Sequence, residues 1–350
     1  MRQKWYTNTS MNRRMTMKAA LVTMNVKAGQ CAENVQYMKQ QIKRAKEDGA
    51  DLIVFPQNAV SGYLLGDVWL DEDFCRYADS FNDELIRESE DIAIVWGNIR
   101  YRNRRRFNAA FFAYQKKTHM RVKQNELLPY IQDALYFEEN PINSAIEYKE
   151  DMVFALNFGD EIQLADMNIN LDARPYDMQK AYHPHGNVIY VNACGMQNMD
   201  HSVMLMEGGS CVLRNGKCLY QAPYFQEDYA LVDLASQKED KAKPRSLLAA
   251  LTMGIQQFDA QVFAGKLPWI VGMSGGLDSS VTAALLVYAL GKQRVYGYNL
   301  ATRHNRDITK SNARQEAQAL GIAYREGAIE ALVEATETTL LQEYGYDVKQ

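Results

Sequence analysis

Apolar residues along this chain follow two rhythms, and the change from one to the other divides it. In the first two thirds they gather in strand-length runs: Ala19–Val22, Asp51–Phe55, Ile92–Gly97 and Ala109–Tyr114, then Ile162–Asp166, Val188–Asn192, Ser210–Leu213 and Tyr229–Leu234. One clear helix interrupts them, Glu33 to Asp48. Its Val35, Met38, Ile42 and Ala45 recur at spacings of three and four, and Gly49 stops it. Many paired strands with few helices predict a two-sheet sandwich with helices outside. Residues 235–243 then form a polar connector, and Pro244 suits the first turn of a new helix with Leu247, Leu248, Leu251, Ile255, Phe258 and Val262 along one face. Beyond it the order becomes strand (Trp269–Val271), helix (Val281–Leu290), strand (Arg294–Asn299), helix (Lys310–Leu320), strand (from Ala323). That alternation predicts a parallel sheet with right-handed crossovers. The expected parts are a polar leader over 1–16, a first domain over 17–234, the connector, and a second domain over 244–350.

Composition changes this picture little. At 350 residues, 47% apolar and 23% charged, the chain has the make-up of a globular protein with two cores. A net charge of -4 argues against nucleic acid or an anionic membrane as partner. The three arginines Arg104–Arg106 read as a solvated hairpin tip. No apolar run approaches a membrane span, and the leader lacks the apolar centre of a signal peptide. Five scattered cysteines with no Cys-x-x-Cys pair read as free thiols, which points to the cytoplasm. His183-Pro184-His185 marks a solvent-facing loop rather than a metal site.

The densest chemical signal is Trp269 to Ser280, WIVGMSGGLDSS. A short apolar strand runs into Ser274-Gly275-Gly276-Leu277-Asp278-Ser279-Ser280 and then into a helix. Adjacent glycines let the backbone fold around an anion, and the first unpaired N–H groups of the helix point at it. The three serine hydroxyls can donate to phosphate oxygens, while Asp278 is placed to hold a magnesium ion. A Walker loop is excluded because no lysine follows, and a dinucleotide fingerprint because its glycine spacing is absent. Ser-Gly-Gly-x-Asp-Ser resembles the PP-loop of the ATP pyrophosphatases, which implies ATP and Mg2+ as cofactors and an adenine nucleotide alpha hydrolase-like fold.

A second resemblance covers the first two thirds. Phe55-Pro56-Gln57 with Ser61-Gly62-Tyr63, then Leu128-Pro129, Val191-Asn192, Gly195 and Glu207-Gly208-Gly209-Ser210 follow the landmarks of the nitrilase-type amidase domain. More narrowly, they resemble the glutaminase domain of glutamine-dependent NAD synthetases, which implies an α-β-β-α sandwich. Gly275-Gly276, Asp278, Ala289-Leu290-Gly291, Thr302-Arg303 and Leu320-Gly321-Ile322 resemble the synthetase domain of the same family. That likeness implies an ATP contact at Arg303.

Amide hydrolysis in this family needs a carboxylate, a lysine and a thiolate. At the matching positions this chain has Gln57 for the glutamate, Asn125 for the lysine by count from Pro129, and Asn170 for the nucleophile, with no cysteine between Cys75 and Cys194. Cys194 reads as a buried small residue. The expectation is a degenerate glutaminase pocket in which neutral amides bond to each other or to water, joined to a synthetase domain that stops early at Gln350. A fragment and a shortened gene product both fit that end. The resemblance implies amidation of deamido-NAD with ammonia, and self-association into a homo-oligomer. Two rivals remain. A tRNA-thiolating PP-loop enzyme needs a cysteine near the loop, and none follows Cys218; the other is an inactive relative that at most binds nucleotide.

Overall fold

The computed structural model describes residues 17–125, 127–128, 131–139, 145–148, 152–180, 184–199, 202–301 and 307–345. The chain divides into two compact units, 1–250 and 251–350.

The first unit runs in order β1 (Lys18–Thr23), α1 (Cys31–Glu47), β2 (Leu52–Val54), α2 (Glu72–Glu88), β3 (Ala93–Arg102), β4 (Arg105–Tyr114), β5 (Lys117–Val122), β6 (Leu127–Leu128), β7 (Ile131–Gln132) and α3 (Asp133–Tyr136). It continues with β8 (Ala145–Tyr148), β9 (Met152–Phe158), β10 (Met167–Asp172), β11 (Val188–Asn192), β12 (Cys194–Met199), β13 (Ser202–Glu207), β14 (Cys211–Arg214), β15 (Lys217–Gln221) and β16 (Asp228–Asp233). Two six-stranded sheets result, in the orders β16-β1-β2-β3-β4-β5 and β15-β14-β11-β10-β9-β8.

Period-two alternation assigns each strand two faces. Leu21, Val54, Val95 and Phe112 turn inward to meet Phe154, Leu156, Ile169 and Val191 between the sheets. Val22, Ile53, Trp96 and Phe111 turn outward, under Val35, Met38 and Ile42 of α1 and Ala78, Phe81 and Leu85 of α2. Asp71 caps α2, accepting from the N–H groups of Asp73 and Phe74. This is the nitrilase-like sandwich. Its second sheet is covered differently: between β8 and β16 the described residues contain no helix, and coil lies over the outer face. An asparagine ladder holds that coil. Asn157 Nδ2 donates to Asn168 Oδ1 at 2.7 Å, and Asn170 Nδ2 donates to the carbonyls of Gly159 and Glu161 at 2.9 and 2.7 Å. Each coil carbonyl bonded this way is a polar group that burial does not leave unpaired.

Several local expectations change. Residues 162–166 are coil, with Leu164 93% exposed, and the true strands lie on either side as β9 and β10. The arginine run is a hairpin tip: β3 and β4 pair through Arg102 and Arg105, and Asn103 and Arg104 turn with positive φ. Among its side chains, Arg104 pairs with Glu72 and Arg105 with Glu138. The connector is bound to its own unit: Asp240 N–H donates to the Cys218 carbonyl, Asp240 Oδ2 accepts from Gln221 N–H, and half-buried Arg245 pairs with buried Glu207.

The second unit carries α4 (Leu247–Phe263, which begins in the first), β17 (Trp269–Gly272), α5 (Leu277–Leu290), β18 (Val295–Ala301), α6 (Asp307–Leu320), β19 (Ala323–Ala328) and α7 (Glu330–Tyr344). The strands pair in parallel in the order β17-β18-β19. Val271, Met273, Ala283, Leu286, Val295, Ala313, Ala317 and Ile322 make its core. The apolar stripe expected on α4 is largely the exposed side, with Leu247, Leu248, Leu251 and Val262 all exposed, while Ala250, Met253 and Asp259 are buried. The helix is apolar nearly all round, so periodicity does not select a face; Asp259 does, accepting from Trp269 Nε1 at 2.8 Å and from Arg294 at 2.7 Å.

Candidate functional sites

The loop expected to cradle an anion in the second unit is built on a short strand held from behind. Met273 follows β17 and is 1% exposed; its N–H donates to the Tyr298 carbonyl, and its carbonyl accepts from buried Asn299 Nδ2 at 2.8 Å. Gly297 leaves the room it needs, since a Cβ there would lie 2.6 Å from the Met273 sulfur. Neither Asn299 nor Gly297 carried a signal in the sequence, because their role depends on strand pairing.

From Met273 the chain turns through Ser274 and Gly275, whose φ of +76° is the left-handed region that favours glycine, to Gly276, the residue before α5. Hydroxyls pre-form the loop. Ser274 Oγ accepts from Gly276 N–H at 3.3 Å and lies 3.2 Å from Ser279 Oγ, and Ser280 donates to the Gly276 carbonyl at 2.7 Å. Ser274, Gly276, Leu277 and Asp278 are exposed, and Gly275, Ser279 and Ser280 partly so. The first-turn N–H groups of α5 therefore open onto accessible space at the positive end of the helix dipole. Asp278 stands in that first turn. An exposed carboxylate beside an anion cradle suits a hard cation with oxygen ligands, so magnesium fits here. No cluster of three or more metal-ligating side chains occurs among the described residues. Arg303 lies outside the described residues, as do Pro129 and His183.

The three positions expected for a degenerate amidase triad do not come together. Gln57 is 2% exposed at the carboxyl end of β2; its N–H donates to the Asp172 carbonyl at 3.2 Å, and its Nε2 has no partner. The turn it opens presses against β3 at Gly97, where a Cβ would stand 2.4 Å from Asn58 N and 2.5 Å from Gln57 Cα. Asn125 is half-buried and bonds elsewhere: its Nδ2 donates to the Phe137 carbonyl at 3.1 Å and its N–H to Glu139 at 2.7 Å. Asn170 sits inside β10 on the outer face of its sheet, occupied by the coil it holds. The two amides therefore do not bond to each other, and Asn170 is a structural rung.

The buried lysine is Lys123, two residues earlier than the count from Pro129 implies. It is 5% exposed and pairs with Asp133, 1% exposed, at 2.6 Å. Tyr63 completes the group. Its hydroxyl donates to the other Asp133 oxygen at 2.8 Å, and Lys123 Nζ lies 3.3 Å from it. Tyr63 is in turn fixed by Gln197, whose Oε1 accepts from the N–H groups of Tyr63 and Leu64 at 2.9 and 3.2 Å. A buried charge needs a partner, and a lysine two places after another buried cation, Arg121, on one strand face was the available signal.

Four of the five thiols, Cys31, Cys75, Cys194 and Cys211, are buried. Burial pushes the Cys31 thiol up to about 12 and the Cys75 thiol up to about 11. Cys194, 1% exposed, is raised well above the ordinary thiol range by the same cause, so a thiolate there is strongly disfavoured.

A sandwich of nitrilase type followed by a parallel α/β unit with an anion loop defines a two-domain class: an amidase-type module joined to an ATP pyrophosphatase-type module. Comparison with known proteins agrees. The carbon-nitrogen hydrolase family model matches residues 18–111 and the NAD synthase model residues 250–349. The chain is 24% identical over 363 residues to the glutamine-dependent NAD(+) synthetase of Acinetobacter baylyi, covering 94% of this chain and 66% of that protein. Over 86 residues it is 35% identical to the NH(3)-dependent NAD(+) synthetase of Thermoplasma acidophilum, covering 25% of this chain and 35% of that one. The solved glutamine-dependent NAD+ synthetase of Acinetobacter baumannii, in complex with ADP, superposes with a TM-score of 0.78 over 94% of this chain and 68% of that chain, at 24% identity. The chain is similar to glutamine-dependent NAD synthetases along nearly all of its length, and it spans 66% and 64% of the length of two such relatives.

Proposed function

We propose that the chain works in the cytoplasm as a NAD synthetase-type ligase whose ammonia does not come from its own glutaminase-like unit. In this reading ATP activates the carboxylate of deamido-NAD, ammonia from solution or a partner displaces the adenylate, and NAD, AMP and pyrophosphate leave. The observation that carries it is the loop Ser274–Ser280: a left-handed glycine, three hydroxyls and the open end of α5 around one accessible point. Fixed dipoles aimed at developing phosphate charge stabilise the departing pyrophosphate without reorganising, so the contribution is chiefly electrostatic and positional. Magnesium, held by Asp278, would supply charge neutralisation to the leaving group. Self-association of the kind the family resemblance implies belongs to the same reading.

Loss of amide hydrolysis rests on the chemistry of the first unit. Gln57 cannot take a proton as a carboxylate does, and the thiols of Cys31, Cys75, Cys194, Cys211 and Cys218 are all raised in pKa by burial. The test is AMP and NAD formation from ATP, Mg2+ and deamido-NAD with ammonium or glutamine supplied in turn. Product with ammonium only, and no glutamate from glutamine, is expected; glutamate release at a rate matching NAD formation would overturn it.

One observation favours a second reading, nucleotide binding without turnover. Parallel sheets are ordinarily covered on both faces, yet Ile270 and Leu300 on one face of this sheet are 68% and 56% exposed. ATP binding with no AMP from either nitrogen source would select that reading.

A further inference from the structure

The peptide unit between Met273 and Ser274 is where a buried strand passes into the exposed loop, and different partners hold its two polar ends. The Met273 carbonyl accepts from Asn299 Nδ2 at 2.8 Å, and Ser274 N–H donates to Ser279 Oγ at 3.3 Å. The carbonyl end is deep, with Met273 1% and Asn299 3% exposed, while Ser274 stands in the open. Register puts Asn299 there. β17 and β18 pair in parallel through Gly272 and Tyr298, and Met273 N–H extends that ladder by donating to the Tyr298 carbonyl at 2.7 Å. The chain then turns away at Ser274, and a buried carbonyl at such a turn needs a donor. The next residue of β18 supplies it from its side chain. Alternation along β18 sends Asn299 to the same buried face as Val295 and Gly297, and the end of its amide that meets a carbonyl has to be the NH2.

Fixing that carbonyl fixes the plane of the peptide, and with it the direction in which Ser274 leaves the strand. The orientation is passed on. Ser279 Oγ, which receives Ser274 N–H, also donates to the Gly276 carbonyl at 3.1 Å, and Ser274 Oγ accepts from Gly276 N–H at 3.3 Å. Two hydroxyls therefore carry the setting made at Met273 to the backbone around the glycines. With the Asn299 bond removed, the peptide plane is free to rotate. A loop that has to be ordered as the anion arrives binds more weakly by the cost of that ordering.

We propose that Asn299 is a positioning residue for the loop Ser274–Ser280: by donating to the Met273 carbonyl, its side-chain amide sets the loop in its anion-ready shape before a phosphate group arrives. That role presupposes the phosphate loop proposed above, and Asn299 acts through the loop rather than by touching the phosphate.

The test separates the donor from the shape of the side chain. Asn299→Asp keeps the outline; as a carboxylate it has nothing to donate, but its protonated form regains an O–H. Asn299→Leu has no donor at any pH. Pyrophosphate with Mg2+ is titrated calorimetrically into the full chain at pH 5.5 and pH 8, and each variant is expressed as a ratio to the wild type at the same pH. The wild type has the same charges around position 299: Glu326 beside it on β19, Arg314 and Lys310 of α6 acting on that carboxylate, and Asp278 in the first turn of α5. The ratio therefore removes their titration and that of pyrophosphate. Asn299→Leu is expected to bind about fivefold more weakly, or worse, at both pH values, the size of effect one hydrogen bond carries. Asn299→Asp should show that deficit at pH 8 and recover most of it at pH 5.5, because burial favours the protonated acid.

A residue that served packing alone would give deficits independent of pH. Wild-type affinity in both variants, or an Asp deficit that does not shrink as the pH falls, would overturn the proposal. Circular dichroism shows which variants fold; should Asn299→Asp unfold at pH 8, it should still bind about fivefold more tightly than Asn299→Leu at pH 5.5, and equal binding there would overturn the proposal. If the wild type shows no saturable pyrophosphate binding, the phosphate-loop reading is what fails. Hydrogen exchange then decides whether Asn299 holds the loop: faster exchange of the Met273 and Ser274 amides in Asn299→Leu, with those of residues 295–297 unchanged, is expected, and unchanged exchange at Met273 and Ser274 would overturn it.

Discussion

The polar groups of the two units are handled in opposite ways. In the first, Lys123, Asp133 and Tyr63 lie within the fold, charges paired and almost without solvent. In the second, Ser274, Gly276 and Asp278 stand in the open, the hydroxyls bonded mainly to one another and to the loop backbone. A buried pair is held by the whole sandwich and resists loss of either member. An exposed loop contributes little to stability, and its donors can be handed to an incoming anion at small cost.

The contrast breaks most visibly at the buried pair. Lys123→Met leaves Asp133 as an uncompensated buried charge, and the expected loss is about 3–5 kcal/mol of first-unit stability, read from urea unfolding. Changing Asp133→Leu at the same time should restore much of it, because the pair's desolvation cost disappears too. A comparable test lies at Glu207, where burial pushes the carboxyl up and Arg245, paired at 2.6 Å and stacked on Tyr176, partly offsets it. Arg245→Ala should cost about 2–4 kcal/mol and expose the connector to trypsin at Lys238 and Lys241. The sign with pH follows from the raised carboxyl: a folded-state pKa above the unfolded one makes the Glu207 contribution to stability fall as pH rises through the interval between the two.

At the loop, substitution should leave stability nearly untouched and strike binding. Gly275→Ala places a side chain at φ +76°, costs about 1 kcal/mol and should weaken pyrophosphate affinity at least tenfold by titration, with Ser274→Ala and Ser279→Ala each a few-fold. A loop variant that lost several kcal/mol of stability with its affinity intact would reverse the comparison. The smallest effect is chemical: at pH 8 a thiol reagent should modify half-buried Cys218 first, with Cys31, Cys75, Cys194 and Cys211 reacting only on unfolding.

By itself the sequence determined what depends on neighbours along the chain. The spacing of Val35, Met38, Ile42 and Ala45 was enough for α1, and strand, glycine turn and helix in succession were enough for the shape of the loop Ser274–Ser280, since a helix end and a left-handed glycine are local features. Landmarks such as Pro56 and Gly208-Gly209 were enough for the sandwich. Only the tertiary structure decided which polar residues meet. Lys123 rather than Asn125 is the buried lysine because β5 sets it against Asn108 and opposite Asp133; Asn170 became a rung because β9 and β10, not residues 162–166, are the strands there; and Asp259 rather than the leucine stripe turned α4. Each choice depends on residues far apart in the chain, and a single sequence read for its periodicity does not say which distant partner will satisfy a buried charge or amide.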